Sequence, residues 1–275
     1  MRFILLSVIL FCSYHANAFQ RCAVEDVNTS QKFFIDIQTQ LLSSSRRLMT
    51  TDMFQTKVIP VIMHVIEKSI PEDMINDQMD VMNNAFALTG FRFELEKINF
   101  VNTDRWEDID FGNATERDMK STLRMGDSAT LNVYIMPSLG WLLGWATFPW
   151  DYDSRPEMDG VVIGRDTLPG GGSAPFNEGA TLTHEVGHWM GLFHTFQGGC
   201  FGDGDMVSDT PAQRSPTNGC PINQNSCSND SRPDAVNNFM DYSDDACMTE
   251  FSQGQVVRMT SSFDTYRKSL SSILN

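Results

Sequence analysis

The chain has 275 residues, 41% of them hydrophobic and 20% charged, which is the make-up of one folded domain with processing segments and not of a disordered polymer. Its formal net charge of −15 repels a phosphate backbone, so nucleic acid is excluded as an expected partner, while cationic peptides are attracted by the same field. The N-terminus reads as an export signal: Arg2 precedes the apolar run Phe3 to Cys12, and Ala16-Asn17-Ala18 fits small-x-small cleavage, which assigns residues 1–18 to a signal peptide. That run is too short to span a bilayer and no later stretch is apolar enough. A secreted, extracellular monomer with no membrane insertion is expected.

Residues 19–54 are polar and Ser/Thr-rich, with Ser43-Ser44-Ser45-Arg46-Arg47 in the middle. This is pro-segment composition with no strong strand pattern, although Phe33 to Leu42 suggests a short helix. The folded domain is assigned to residues 55–275. Within it, Lys57 to Ile66 is β-branched and reads as a strand, with Pro60 pointing to an edge or a bulge. A helix begins at Ser69-Ile70-Pro71-Glu72, places Met74, Ile75, Met79, Met82 and Phe86 on one face, and stops at Gly90. Phe91 to Leu95 alternates as a half-buried strand. A second helix follows from Thr115 to Met125, then a strand from Leu131 to Met136 and shorter strands at Gly144 to Phe148 and Gly160 to Gly164. Pro169-Gly170-Gly171-Gly172 breaks the chain before a third helix. A turn-rich, cysteine-rich region and a last helix from about Ser252 to Leu270 complete an α+β domain.

The third helix carries the chemistry. Thr181 to His194 contains H-E-x-x-H-x-x-G-x-x-H. On a helix, His184 and His188 lie one turn apart on the same face and can meet one metal ion. An imidazole set favours zinc. Glu185 stands beside the first ligand, where it reaches a water on the metal and acts as general base. Gly191 can take a left-handed conformation and turn the chain so that His194 returns as the third ligand. Three protein ligands leave one position open, as in catalytic sites. The fourth histidine of the mature chain, His64, sits on a strand and is expected to be packed or hydrogen-bonded.

This motif, with Asn237-Asn238-Phe239-Met240-Asp241-Tyr242-Ser243 downstream, resembles the metzincin peptidases. Within them the segments LNVYI, DGVVIG, HTFQGGC, DTPAQ and GQVVRM are similar to the pappalysin-type branch, ulilysin-like and secreted fungal-type, from Lys57 to the C-terminus. The resemblance implies a two-lobed zinc peptidase domain: a twisted mixed sheet with backing helices above, and the active-site helix, Met-turn and C-terminal helix below. It implies that Met240 forms the apolar floor under the metal and that Tyr242 is catalytic. The implied reaction is hydrolysis of protein or peptide substrates by a zinc-bound water that Glu185 activates. A binding protein on an inactive scaffold would be expected to have lost a ligand or the glutamate, and all four residues are intact. A zinc hydrolase acting on a non-peptide bond fits the ligands but not the Met-turn region.

Five cysteines remain after removal of Cys12. Four of them allow three pairings, and the resemblance implies Cys200–Cys227 and Cys220–Cys247. Cys22, left over in Arg21-Cys22-Ala23, resembles the Arg-Cys of related pro-enzymes and would be a zinc ligand in a zymogen, although Ala23 stands where Gly is common. Cutting at Ser45-Arg46 or Arg46-Arg47 would release it. The resemblance also implies that an acid after the Met-turn, Asp245 first and Asp244 second, lines a pocket for Arg or Lys just after the cut bond. Asp203, Asp205, Asp209 and Thr210 offer oxygen ligands for calcium. Sequons at Asn28, Asn113 and Asn229 are possible glycan sites.

Overall fold

The computed structural model describes residues 20–24, 32, 37, 56–66 and 70–267. The expected signal peptide, the expected cutting sites at Ser45–Arg47, the sequon at Asn28 and most of the helix expected over Phe33–Leu42 lie outside the described residues; Lys32 and Ile37 are helical. The elements are β1 (Gln20–Ala23), β2 (Lys57–Val65), α1 (Glu72–Ala85), β3 (Phe91–Phe100), α2 (Ala114–Leu123), β4 (Leu131–Met136), β5 (Leu142–Ala146), β6 (Val161–Gly164), α3 (Ala180–Trp189) and α4 (Gln253–Tyr266). From β2 to α3 their order is the expected one. β1 is a strand that composition did not suggest.

The six strands form one sheet in the order β1-β5-β6-β4-β2-β3. All pairs are parallel except β5 with β6, so β5 runs against its inner neighbour and receives β1 on its outer side. β1 has little apolar periodicity of its own, which is why the sequence hid it. Its register comes from main-chain pairing of Cys22 with Gly144 and Ala23 with Trp145. Pro60 lies in an inner strand, yet both expectations for it hold in part. β4 pairs with β2 only from Val61 onward, and the β2–β3 register shifts between Val61 and Ile62. The missing N–H therefore costs no ladder bond to β4.

Alternation in β2, β4 and β6 sends two apolar sets to opposite faces. Ile59, Val61, Met63, Val133, Ile135 and Ile163 face α1, α3 and α4 in the larger core. Tyr134, Met136, Val162 and Trp145 face α2, through Met119 and Leu123. The two early helices thus part company. Only α2 backs the outer face, whereas α1 shares the inner face with α3, because its stripe of Ile75, Met79, Met82 and Phe86 packs there. α1 also steadies the entry to α3, since Gln78 Nε2 donates to Gly179 O at 3.0 Å.

α4 begins with a full capping box at Ser252 and Gln255. Asn238 and Gln255 exchange side-chain hydrogen bonds of 2.8 and 2.9 Å, which fixes the turn before Met240 against that helix. The disulfides Cys200–Cys227 and Cys220–Cys247 both form.

Candidate active site

α3 is buried along its whole length, so its sequence has no polar face to read and its ends must be secured from elsewhere. At its start Gly179 offers no side-chain cap. Asp245 supplies one from 65 residues away: its Oδ2 accepts from Glu178 N at 2.9 Å and Ala180 N at 3.2 Å. At its end Gly191 has φ +95°, Leu192 N bonds Gly187 O at 2.9 Å and Gly191 N bonds His188 O at 2.8 Å. This is a Schellman ending. It reverses the chain and brings His194 back under the helix, as the spacing predicts.

The three imidazoles converge. His188 Nε2 lies 3.2 Å from His184 Nε2 and 3.1 Å from His194 Nε2. On the far side of the rings, His184 Nδ1 bonds Phe239 O at 2.7 Å and His188 Nδ1 bonds Leu192 O at 2.8 Å. Carbonyls accept only, so each of these Nδ1 atoms carries the proton and each Nε2 presents a lone pair to the centre. Burial holds His188 down to about 4 and pushes His184 and His194 well below the ordinary histidine range, with mutual repulsion adding to both. Neutral imidazoles with facing lone pairs fit a divalent cation and fit little else.

Cys22 Sγ joins them. With the three histidines it forms a buried group whose ligand atoms all lie within 4.8 Å of one another. The same sulfur donates to Glu185 Oε2 at 3.2 Å. Burial, then the nearby Glu185 charge, raises the Cys22 thiol well above its usual value. Glu185 is raised well above the carboxylate range, chiefly by burial, and its Oε1 has no hydrogen-bond partner among the described residues. Beneath the cluster, Met240 is fully buried and so close to the helix that a side chain at Gly187 would meet its sulfur. Tyr242 stands beside His194 and His184, at 5.0 and 5.6 Å between ring centroids. Its hydroxyl donates to Cys22 O at 3.1 Å.

Asp245 is 4% exposed and ion-paired with Arg21. Arg21 also donates to Met248 Sδ at 2.7 Å and lies over the Phe176 ring at 4.8 Å. The role of Arg21 was missed from the sequence, where it is visible only as the neighbour of Cys22. Asp244 makes no such contact among the described residues; its N–H bonds Gly219 O. His64 is buried, stacked on Tyr134, and bonded to Asn132 and Asn99, as a packed histidine should be.

The acidic run is not brought to one point. Asp205 turns inward, accepting from Thr210 Oγ1 at 2.8 Å and Val207 N at 3.0 Å, and burial raises its carboxyl to about 6. Asp209 instead caps α4, accepting from Ser252 Oγ and Gly254 N. Asp203 is exposed. At the remaining sequons, Asn113 Nδ2 donates to Asp108 O and Asn229 Nδ2 to Cys200 O.

The family model described as pregnancy-associated plasma protein-A, peptidase M43, matches residues 117–264. An extracellular metalloprotease of Sordaria macrospora is 43% identical over 223 residues, covering 78% of this chain and 77% of its own. Extracellular metalloprotease 1 of Coccidioides posadasii is 44% identical over 201 residues, covering 72% and 71%. Among solved structures, mirolysin in complex with compound 9 is 33% identical with a TM-score of 0.68, covering 77% of this chain and 93% of that one. A mutant promirolysin of Tannerella forsythia is 29% identical with a TM-score of 0.69, covering 90% and 95%. The likeness to the pro-form therefore extends over more of this chain.

Proposed function

The chain belongs to the pappalysin family of metzincin metallopeptidases, and from that premise we propose a zinc endopeptidase that uses Glu185, Tyr242 and Asp245 as its working side chains. It is an extracellular metallopeptidase, as its relatives' names state of them, and no helix among the described residues is long and apolar enough to cross a membrane. The observation that carries the finer reading is the convergence of three imidazole lone pairs beside a buried carboxylate with one unpartnered oxygen.

His184, His188 and His194 would hold the zinc expected of this family. Bound there, it supplies Lewis-acid chemistry, polarising the scissile carbonyl and lowering the pKa of a water. Glu185 takes a proton from the attacking water and passes it to the leaving amine nitrogen. The Tyr242 hydroxyl, which here donates to the Cys22 carbonyl oxygen, donates in the same way to the oxygen of the scissile carbonyl. Met240 holds the floor.

Arg21 and Cys22 support both the pro-segment reading and the preference for Arg or Lys. Arg21 sits on Asp245 as a substrate arginine would, and Cys22, grouped with the three histidines, would take the place of the attacking water. In β1, however, the arginine precedes the residue at the metal, whereas in a substrate it would follow the cut bond. A substrate with its arginine on Asp245 therefore runs opposite to β1, antiparallel to β5. The segment occupies the cleft in the direction that does not present its own bond for cutting. Residues 19–54 are accordingly a pro-segment and 55–275 the peptidase. Calcium is a lesser part of this reading; Asp205 and Asp209 are engaged, so it would rely largely on main-chain oxygens.

Zinc content and casein cleavage by the processed chain test the reading. Glu185→Ala should keep its zinc and lose activity by about a thousandfold, within the range of a lost general acid–base. His188→Ala should lose the metal as well. Near-normal turnover by Glu185→Ala would remove the mechanism, and a zinc-loaded wild type inert on any peptide would favour a binding protein on this scaffold.

A further inference from the structure

The metal cluster borders an aromatic platform that the proposed chemistry leaves unused. Phe148, two residues beyond β5, meets the His188 ring edge-on at 5.6 Å between centroids. Trp150 stacks on Phe148 at 4.5 Å and 15°. Phe193, just before the third histidine, completes the group at 5.5 and 5.8 Å from those two rings. Phe148 and Phe193 are nearly wholly buried and Trp150 is half-buried. Among the described residues of the N-terminal segment, Lys32 reaches this group: its ammonium lies 5.5 Å from the Phe193 centroid, where a ring's quadrupole attracts a cation.

We propose that the platform of Phe148, Trp150 and Phe193 is a second recognition subsite that takes a lysine or arginine side chain from the part of the substrate before the cut bond, and that Lys32 fills it in the uncleaved chain. The direction rests on the function proposed above. A substrate antiparallel to β5, with its arginine on Asp245, sends the residues before the cut bond past Ala146 toward Phe148 and Trp150. In β1, Cys22 and Ala23 pair with Gly144 and Trp145 and already run that way.

A purely apolar side chain would also gain from burial there, so charge must decide. Three observations favour a cation. The occupant is an ammonium group. The rim carries two acids: Asp151, half-buried beside Trp150 and paired with Arg155 at 3.5 Å, and the exposed Asp153, which adds to the effect of burial in raising Tyr266, whose ring is 6.3 Å from Trp150. The whole chain carries −15, which draws cationic segments toward any open face. The opposing charges are Arg155, paired with Asp151, and Arg258, whose guanidinium lies 4.7 Å from the same Phe193 ring. Arg258 is tied by its Nε to Gly191 O at 2.8 Å, and the Asp205 carboxylate acts against its charge. Arg21 on Asp245 and Lys32 on Phe193 then bracket Cys22 with two cations, and substrates with basic residues on both sides of the cut bond would displace them best.

The test uses processed enzyme and fluorogenic peptides with arginine after the cut bond and either lysine or norleucine at the second, third or fourth position before it. Lysine should raise kcat/KM about three- to fivefold at one of those positions, and the ratio should fall toward one in Trp150→Leu and in Phe193→Leu. A ratio near one throughout in the wild type, or a ratio preserved in both variants, would overturn the proposal. Cleavage of none of the peptides by wild type would count against the peptidase reading instead. The contact is then decided by hydrogen exchange in the full chain carrying Glu185→Ala: faster exchange around residue 32 in Lys32→Met supports it, and unchanged exchange overturns it.

Discussion

Asp245 has two duties that its position in the sequence does not reveal. One oxygen caps the start of α3 through two backbone N–H groups, and the other holds the Arg21 guanidinium. The duties separate in Asp245→Asn, which keeps an acceptor and loses the charge. That variant should fold with a melting temperature close to wild type, yet lose about tenfold or more in kcat/KM for arginine over a neutral residue after the cut bond, the worth of a charged hydrogen bond. An unchanged ratio would reassign the pocket, with Asp244 next to be tried. Cys22 is a second residue whose meaning depends on its neighbours. Its sulfur lies among three neutral histidines, where a bound cation would hold it as a ligand and shield it from reagents. In the Glu185→Ala pro-form, thiol labelling of Cys22 should be slow with zinc bound and faster after chelation. Fast labelling in both states would show that the sulfur does not reach the metal.

At the scale of elements, α3 starts on a partner remote in the chain and ends on a local turn of its own. Its C-terminal turn was legible, because Gly191 in H-x-x-G-x-x-H has one conformational purpose. Its N-terminal cap was not, because Asp245 arrives from beyond the Met-turn. That arrival is organised by Cys220–Cys247, which ends the short helical turn Asp245–Cys247 and ties it to the loop before. Loops of this size are worth about 3.5 kcal/mol in the chain-entropy model. Replacing both cysteines by serine should therefore lower the melting temperature by about 10 °C and weaken the arginine preference along with it. Loss of stability with the preference intact would mean that the 3-10 turn holds Asp245 unaided. β1 was invisible for a related reason: four residues pairing at a sheet edge need no hydrophobic alternation, only a free edge in register.

The whole molecule is closed by Arg267, beyond the end of α4. Its guanidinium is fully buried over the Trp189 ring at 3.5 Å and donates to Asp159, Trp189 O and Ser128 O. Asp159 in turn accepts from Trp189 Nε1 and Thr147 Oγ1, so one carboxylate joins the last helix, the active-site helix and the end of β5. Asp159→Ala would leave a buried, unpaired guanidinium at a cost of about 3–5 kcal/mol. The expected fall in melting temperature is about 10 °C; a shift below about 2 °C would show that water or a rearranged partner reaches Arg267.

The sequence by itself determined the helix that carries His184 and His188, the return of His194 beside them and the alternation of strands and helices up to it. These are local: ligand spacing on a helix, a glycine at a chain reversal and apolar periodicity all act within a few residues. The same holds for the packing role of Met79, Met82 and His64, which their element and periodicity specify. Tertiary structure alone decided which carboxylate faces Arg21, which face of the sheet α1 covers, and that Asp203, Asp205 and Asp209 diverge. Each of those depends on where a distant segment returns, and a returning segment is placed by the sum of many weak contacts instead of by any residue pattern of its own.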